Sequence, residues 1–541
     1  LELSTLKNRS LFVRGSGNQP FPSPSSQSSS IQSPTQIPLF ASGSRLQLIS
    51  SLLLALTALG LCSCHSASYY YYKFPEYTYA GRPVPPSKLA QRVMIGVTAN
   101  GSSGSLQIVD ALRDIRSNVE NTIPSFAISG YSSGYPGTVL NFPAELRGYV
   151  YSNSDGSLTN INYSTEAAAG SVGTFQSGSS SVAVPPAFTH YYGAEEAAGV
   201  LEVIDNATGS SYGLNLPNVF KVVVNTGDTV ALAMVRNSNS LYRIFKLNQN
   251  QYPTQQAAIA GTGSSDCEPS LLPVYCVVAV PGTTYDKPTG VYFSLDGTTA
   301  YVLNCGPECG GNTASVTLLE QGPLNNNVIA VATGNTPPTG YIPPQQNPPN
   351  LPIPGGVTAA ISDGTTLYLA GQKLMSDDGL FAGFLTTVNQ ATNSITGTFS
   401  ISDGSHSKML FADNNTLWIG SQNCATGERQ AHGLNYNCLT MTVLSGSVTA
   451  PIASLEVVPN VTPGSATAVV PYPNQNDNQY YYGSLTGICW VQNYNKVYTA
   501  YGGQVHIFST VDGSEIDNQY VAVQGTALDV AYMDALTDGA N

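Results

Sequence analysis

The chain has 541 residues, of which only 10% are charged, 20 basic against 33 acidic, for a formal net charge of −13. Soluble proteins average roughly 25% charged residues, and with 52 Gly and 35 Pro the composition excludes a mainly helical protein. An isoelectric point near 4.7 argues against a surface for phosphate backbones, so nucleic acid is not expected as a partner.

In chain order, residues 1–44 read as a disordered extension. Their Ser/Pro/Gln tract, with Pro22-Ser23-Pro24-Ser25-Ser26-Gln27, buries too little apolar area to fold. Residues 45–63 read as an export signal. Arg45 precedes an apolar run over 48–61, which is shorter than the roughly 20 residues of a membrane-spanning helix and suits a signal h-region. Leu61-Cys62-Ser63-Cys64 resembles a bacterial lipobox, in which a small residue precedes the lipidated cysteine. Ser63 therefore makes Cys64 the expected lipid attachment site ahead of Cys62, which follows Leu61. A plain cleaved signal and a retained anchor are the alternatives. Such signals begin near their positive charge, so translation is expected to start downstream of Leu1. The expected location is the bacterial cell envelope, with the exported chain lipid-anchored on the periplasmic or surface side. Residues 64–90, with Tyr69-Tyr70-Tyr71-Tyr72 and Pro83-Val84-Pro85-Pro86, read as a tether.

From 91 to 541 short apolar runs rich in β-branched and aromatic residues alternate with Asp-Gly and other turn signals, which predicts an all-β body. Residues 106–115 could put Ile108, Leu112 and Ile115 on one helical face, but the Gly/Ser flank favours a strand ending at Asp110. Phe293-Ser294-Leu295-Asp296-Gly297-Thr298-Thr299-Ala300-Tyr301-Val302 is echoed by Ala360-Ile361-Ser362-Asp363-Gly364-Thr365-Thr366-Leu367-Tyr368-Leu369. Asp-Gly suits a tight hairpin because Gly takes positive φ at no steric cost. Weaker strand–turn–strand copies lie at 411–419, 490–498 and 221–232, and 146–151 reads as the second strand of another. A second recurrent unit, Val203-Ile204-Asp205-Asn206-Ala207-Thr208-Gly209, is matched at 387–393 and loosely at 508–513. Repetition at intervals of several tens of residues indicates a repeat architecture, and radial blades protect the strand edges of so long an all-β chain.

The pairing of these two motifs resembles the YVTN-type bacterial β-propellers, relatives of the lactonase-like seven-bladed propellers. The resemblance implies seven four-stranded blades over residues 91–541. At roughly 64 residues per blade, against about 45 for compact propeller repeats, long loop insertions are expected. The stretch 335–356, with eight prolines, reads as one such inter-blade loop.

Beyond Cys62 and Cys64, six cysteines fall into local couples, Cys267/Cys276, Cys305/Cys309 and Cys424/Cys438, which read as disulfides of an exported protein. Cys489 reads as a small buried hydrophobe. Of five histidines, His65, His190, His406, His432 and His506, none has metal-ligand spacing, and His506 reads as a satisfied structural residue. Asp296, Asp363 and Asp512 precede Gly and are explained as turn formers. Asp266/Glu268 and Asp377-Asp378 are loop acids without the ligand density of a calcium site. No catalytic set, metal site or cofactor is expected. The preferred reading is a lipid-anchored, non-enzymatic envelope propeller that binds or scaffolds a protein or glycan ligand through its loops. A lactonase-like hydrolase with its site in the central channel is the alternative, and a structural part in an envelope complex is a third.

Overall fold

The computed structural model describes residues 79–538 apart from 116–125, 176–177, 248–250, 283, 327–341, 377–378, 425–437, 445–453, 458–483 and 517–520, and only the backbone of 454–457. All belong to the unit Tyr77–Asn541. The extension, the signal segment, Cys62, Cys64, His65, His432 and the Asp377-Asp378 pair lie outside the described residues.

The first two strands, β1 (Arg92–Thr98) and β2 (Gly104–Asp110), wait for a partner from the far end of the chain. Blade 1 is β3 (Pro136–Phe142), β4 (Arg147–Ser152), β5 (Ser157–Asn162) and β6 (Ala167–Thr174). Blade 2 is β7 (Ser181–Ala183), β8 (His190–Glu195), β9 (Val200–Asp205) and β10 (Ser210–Asn215). Blade 3 has β11 (Val219–Val224), β12 (Ala231–Val235), β13 (Leu241–Lys246), helix α1 (Gln255–Thr262), β14 (Asp266–Glu268) and β15 (Tyr275–Ala279). Blade 4 is β16 (Pro288–Phe293), β17 (Thr299–Asn304), β18 (Ser315–Glu320) and β19 (Asn350–Pro352). Blade 5 is β20 (Ala359–Ser362), β21 (Thr366–Leu374), β22 (Phe381–Asn389) and β23 (Ser394–Ser400). Blade 6 is β24 (Ser405–Ala412), β25 (Thr416–Gln422), β26 (Leu439–Val443) and β27 (Ser454–Val457). Blade 7 is β28 (Leu485–Val491), β29 (Lys496–Tyr501), β30 (Gln504–Ser509) and β31 (Glu515–Ile516). Finally β32 (Thr526–Tyr532) adds to β1 in the order β2-β1-β32 and completes blade 8.

The ring therefore has eight blades, not the seven that the family resemblance implied. Two blades escape a count of sequence repeats. Blade 8 is assembled from both ends of the folded body, so it has no contiguous motif, and the first strand of blade 2 is only three residues long. The motifs themselves fall where the repeat predicts. Asp296-Gly297 and Asp363-Gly364 join first to second strands, with Gly φ of 71° and 90°. The turns at 205–210, 389–394 and 509–515 join third to fourth strands. Leu106 to Asp110 is strand. Residues 79–90, the end of the segment read as a tether, instead pack on the ring: Leu89 is buried with Met94 and Tyr163, and the Ser87 N–H donates to Glu166 at 2.8 Å. The proline-rich stretch is not wholly loop either. Its described part supplies β19, a three-residue edge strand on β18, where Pro352 is tolerated because an edge needs fewer donors.

Each seam between adjacent blades has its own apolar cluster. Ala300 and Val302 face blade 3, whereas Tyr301 and Leu303 face blade 5. Leu367 and Leu369 face blade 4, and Tyr368 and Ala370 face blade 6. Successive side chains of a strand point to opposite sheet faces, and both faces are covered, which is why these strands read as unbroken apolar runs. Among the described residues no helix is long and apolar enough to cross a membrane.

Candidate functional site

The first strands of the blades form the inner ring, each packed against the first strand of a neighbour. Most begin with a β-bulge. The pairing register slips by one residue between Pro136 and Thr138, Val219 and Lys221, Pro288 and Gly290, His406 and Lys408, and Leu485 and Gly487. In β32 the slip leaves Leu528 extra, between Ala527 and Asp529. A bulge twists the strand and re-aims the next side chain, so Thr138, Lys221, Gly290, Lys408, Gly487 and Asp529 are equivalent positions around the ring. Blade 5 keeps the same frame. The hydroxyls of Thr289, Thr358 and Thr486 donate to Leu303, Ala370 and Ala500 carbonyls on their second strands, which makes Ala359 the equivalent of Gly290 and Gly487. Thr289 and Thr358 also donate to Val357 and His406 carbonyls of the next blade, both at 2.8 Å.

Three of these ring positions are charged. Lys408 Nζ lies 3.4 Å from Asp529 Oδ1, with the lysine side chain 32% exposed and the aspartate 3%. Lys408 belongs to blade 6 and Asp529 to blade 8, so the pair passes over blade 7 at Gly487. A Cβ there would stand 2.4 Å from Asp529 Oδ1, and only glycine leaves room for the carboxylate. Asp529 also accepts from the N–H groups of Val139, at 2.9 Å, and Val530, at 3.0 Å. Burial pushes its pKa up, outweighing the lowering by Lys408 and the two N–H donors. The half-buried Lys221 lies over Gly290, with Nζ 3.2 Å from where a Cβ would be. Its ammonium has no carboxylate or hydrogen-bond acceptor among the described residues, and burial pushes its pKa down.

Sequence reasoning missed all three residues. A lone lysine inside an apolar strand, as in Val219-Phe220-Lys221-Val222-Val223-Val224, and the Thr-Gly pairs at 289–290 and 486–487 were the available signals.

The cysteine couples are the pairs that the structure bonds. Cys267 and Cys276 stand opposite each other on β14 and β15, with Cα atoms 4.1 Å apart. Cys305–Cys309 and Cys424–Cys438 close the loops between second and third strands of blades 4 and 6. The bonded cysteines lie on the face where the first strands begin, with Gly404 against Cys424 and Gly356 against Cys305. The first loop is pinned to blade 5 by half-buried Glu308, which accepts from Gln372 N at 2.8 Å and Nε2 at 3.1 Å. Three disulfides point to an oxidising, extracytoplasmic location. Cys489 is free and buried.

Most of the other described residues singled out in the sequence are satisfied by hydrogen bonds. Asp296, Asp363 and Asp512 each accept from the N–H two residues on, at 2.8–3.1 Å, and their pKa values are lowered. For Asp296 and Asp512 the largest cause is a serine hydroxyl. Burial of Asp363 opposes its lowering, and hydrogen bonds from Thr365 and Thr366 outweigh it. Asp266 is on strand β14, not in a loop, and accepts from Asn215 N and Gln255 Nε2, which also reaches Glu268. His506 Nδ1 meets Glu515 Oε1 at 2.6 Å inside blade 7. His190 Nδ1 meets Asp228 Oδ2 at 2.5 Å across the seam of blades 2 and 3, where the Tyr192 hydroxyl also donates to Asp228. Among the described residues no cluster of three or more His, Cys, Asp or Glu is placed to hold a metal ion.

No protein-family model matches the chain, and no curated protein matches it. Solved structures to which it is similar include hydrazine synthase of Kuenenia stuttgartiensis, at 12% identity and TM-score 0.42, over 70% of this chain and 97% of that one. Another is a dihydro-heme d1 dehydrogenase, at 12% identity and TM-score 0.42, over 85% and 82%. A third is a candidate 6-phosphogluconolactonase of Bacteroides fragilis, at 11% identity and TM-score 0.36, over 82% and 97%. Each is a low-scoring resemblance of chain trace.

Proposed function

We propose that this chain is a binding or scaffolding module of the bacterial cell envelope, a YVTN-type propeller tethered through a lipid on Cys64, that engages a protein or glycan on the face where its first strands begin. The observation that supports this is the coincidence on one face of two loop-closing disulfides with the beginning of the inner strands that carry the lysines. Propellers gather loops from every blade around one axis, and covalently clamped loops lose less freedom on binding. The test is affinity capture from envelope extracts with the exported chain and with its Cys424→Ser/Cys438→Ser variant. Capture of one defined protein or glycan, weakened in the variant, is expected. Equal capture by both would remove the clamped face from the reading. Mass spectrometry of the mature N-terminus tests the anchor on Cys64.

A hydrolase with its site in the channel is the second reading, favoured by the buried Asp529 beside Lys408 on the inner ring. Turnover of a lactone, abolished in Asp529→Asn, would establish it in place of the first.

A further inference from the structure

The inner ring twice sets a lysine two blades before a third ring position, with a glycine between them. In blades 6, 7 and 8 the equivalent positions are Lys408, Gly487 and Asp529: the carboxylate lies over the glycine and meets the lysine at 3.4 Å. In blades 3, 4 and 5 they are Lys221, Gly290 and Ala359. Here it is the lysine that lies over the glycine, and the third position carries a methyl group in place of a carboxylate. An ammonium has three donors and no acceptor, and one drawn out of water without a counter-charge is held at a cost that an anion removes. Lys408 shows which anion this ring geometry accommodates.

We infer that Lys221 binds a carboxylate group of the ligand, which meets the ammonium on the side of Ala359 as the Asp529 carboxylate meets Lys408. The inference rests on the binding-module reading and gives that ligand an acidic group. A uronic-acid residue of a glycan and an acidic side chain of a protein both carry it, so the probes are glucuronate and N-acetyl-aspartate, with glucose as the neutral control and inorganic phosphate as the other oxyanion.

Titration of the intact chain by calorimetry is expected to show saturable binding of at least one carboxylate probe and none of glucose. Lys221→Met removes the charge at similar length, and Ala359→Asp supplies an internal carboxylate that occupies the lysine. Both are expected to weaken the bound probe by about tenfold or more, the usual worth of a hydrogen bond to a charged group. Gly290→Ala keeps the charge but crowds the ammonium and is expected to weaken binding less. Unchanged melting temperatures in Lys221→Met and Gly290→Ala would show that the ring is intact. Absence of carboxylate binding to the parent chain, undiminished binding in both Lys221→Met and Ala359→Asp, or phosphate binding as tight as that of glucuronate would each overturn the assignment. Macromolecular capture is read separately from the disulfide variant, so each reading can fail without the other.

Discussion

Two seams of the ring solve the same packing problem with different chemistry. Between blades 4 and 5 the apolar cluster around Leu303, Val316, Leu367 and Val388 is supplemented by neutral hydrogen bonds, such as Thr289 Oγ1 to the Val357 carbonyl and Gln390 Nε2 to the Tyr301 hydroxyl. Between blades 8 and 1 the cluster around Met94, Ile108, Val150 and Tyr163 is joined by buried charges. Arg92 meets Asp534 at 2.7 Å and Glu166 at 3.0 Å, and its Nη1 also donates to the Tyr163 carbonyl. Arg82 adds a second guanidinium near Asp534 at 3.8 Å and donates to the Pro143 carbonyl. Blades 4 and 5 follow one another in the chain, and their contact is favoured by a short connection. In blade 8 the strands that pair come from opposite ends of the folded body, so closing it bears a larger loop entropy. The ion pairs also give directional specificity, since β32 has to choose β1 over other exposed edges. A chain with few charged residues therefore concentrates several of them where the ring shuts.

The largest test of this contrast is Arg92→Leu. It strands Asp534 and Glu166 in a buried site, and breaking a buried pair from one side costs about 3–5 kcal/mol. Burial already pushes the Asp534 pKa up despite both arginines, so loss of Arg92 should raise it further. Chemical denaturation is expected to show a drop of that size, with blade 8 opening first in hydrogen exchange. A loss below about 1 kcal/mol would mean that the closure is apolar like the seam between blades 4 and 5.

Acid sharpens the comparison in an unobvious direction. His406, on the inner strand of blade 6, is fully buried. Nε2 donates to the Ser402 carbonyl at 2.7 Å, and Nδ1 lacks a partner among the described residues. Burial lowers its pKa from 6.5 to about 4. The folded protein keeps this imidazole neutral while the unfolded chain protonates it. Its contribution is therefore fully present above pH 6.5 and is lost as pH falls from there towards 4, at about 1.4 kcal/mol per pH unit, roughly 3 kcal/mol in all. Asp534 and Asp529 have raised values, so protonation in that direction favours the folded state at those positions. Acidification should thus loosen blade 6 around His406 before the ionic closure between blades 8 and 1. Stability measured between pH 7 and 4 in the parent and in His406→Asn tests this: the variant is expected to be less stable at pH 7 but to lose the slope. A slope unchanged by the substitution would assign the acid sensitivity elsewhere.

How much of this was legible in the sequence depends on whether the signal was local. The hairpins at Asp296-Gly297 and Asp363-Gly364 were readable because positive φ at a glycine is written in two adjacent residues. The disulfide couples were readable for the same reason, being separated by 4, 9 and 14 positions. The eighth blade was not, since its three strands are split between 92–110 and 526–532. Nor was the ring of Lys221, Lys408 and Asp529. Its members come from three blades, and each follows a bulge that shifts the alternation by one residue. Periodicity reports a slip of that kind as noise.

The smallest predicted effect bears on the neutral seam itself. Thr289→Val keeps the β-branched shape but removes the hydroxyl that donates to the Leu303 carbonyl of its own blade and the Val357 carbonyl of the next. Leu303 and Val357 are both buried, so the carbonyl of Val357 would lose the one side-chain donor it has among the described residues and gain none from water. The expected cost is about 1 kcal/mol, the net worth of a typical hydrogen bond. Thr358→Val, which removes the bond to the His406 carbonyl one seam further on, should cost about the same. If the inner threonines act as separate neutral clasps, the double variant should show the sum, because residues that share no partner combine additively within about 0.5 kcal/mol. A double-variant loss well beyond that sum would instead mean that adjacent seams open together, and that the neutral half of the ring is as cooperative as its ionic closure.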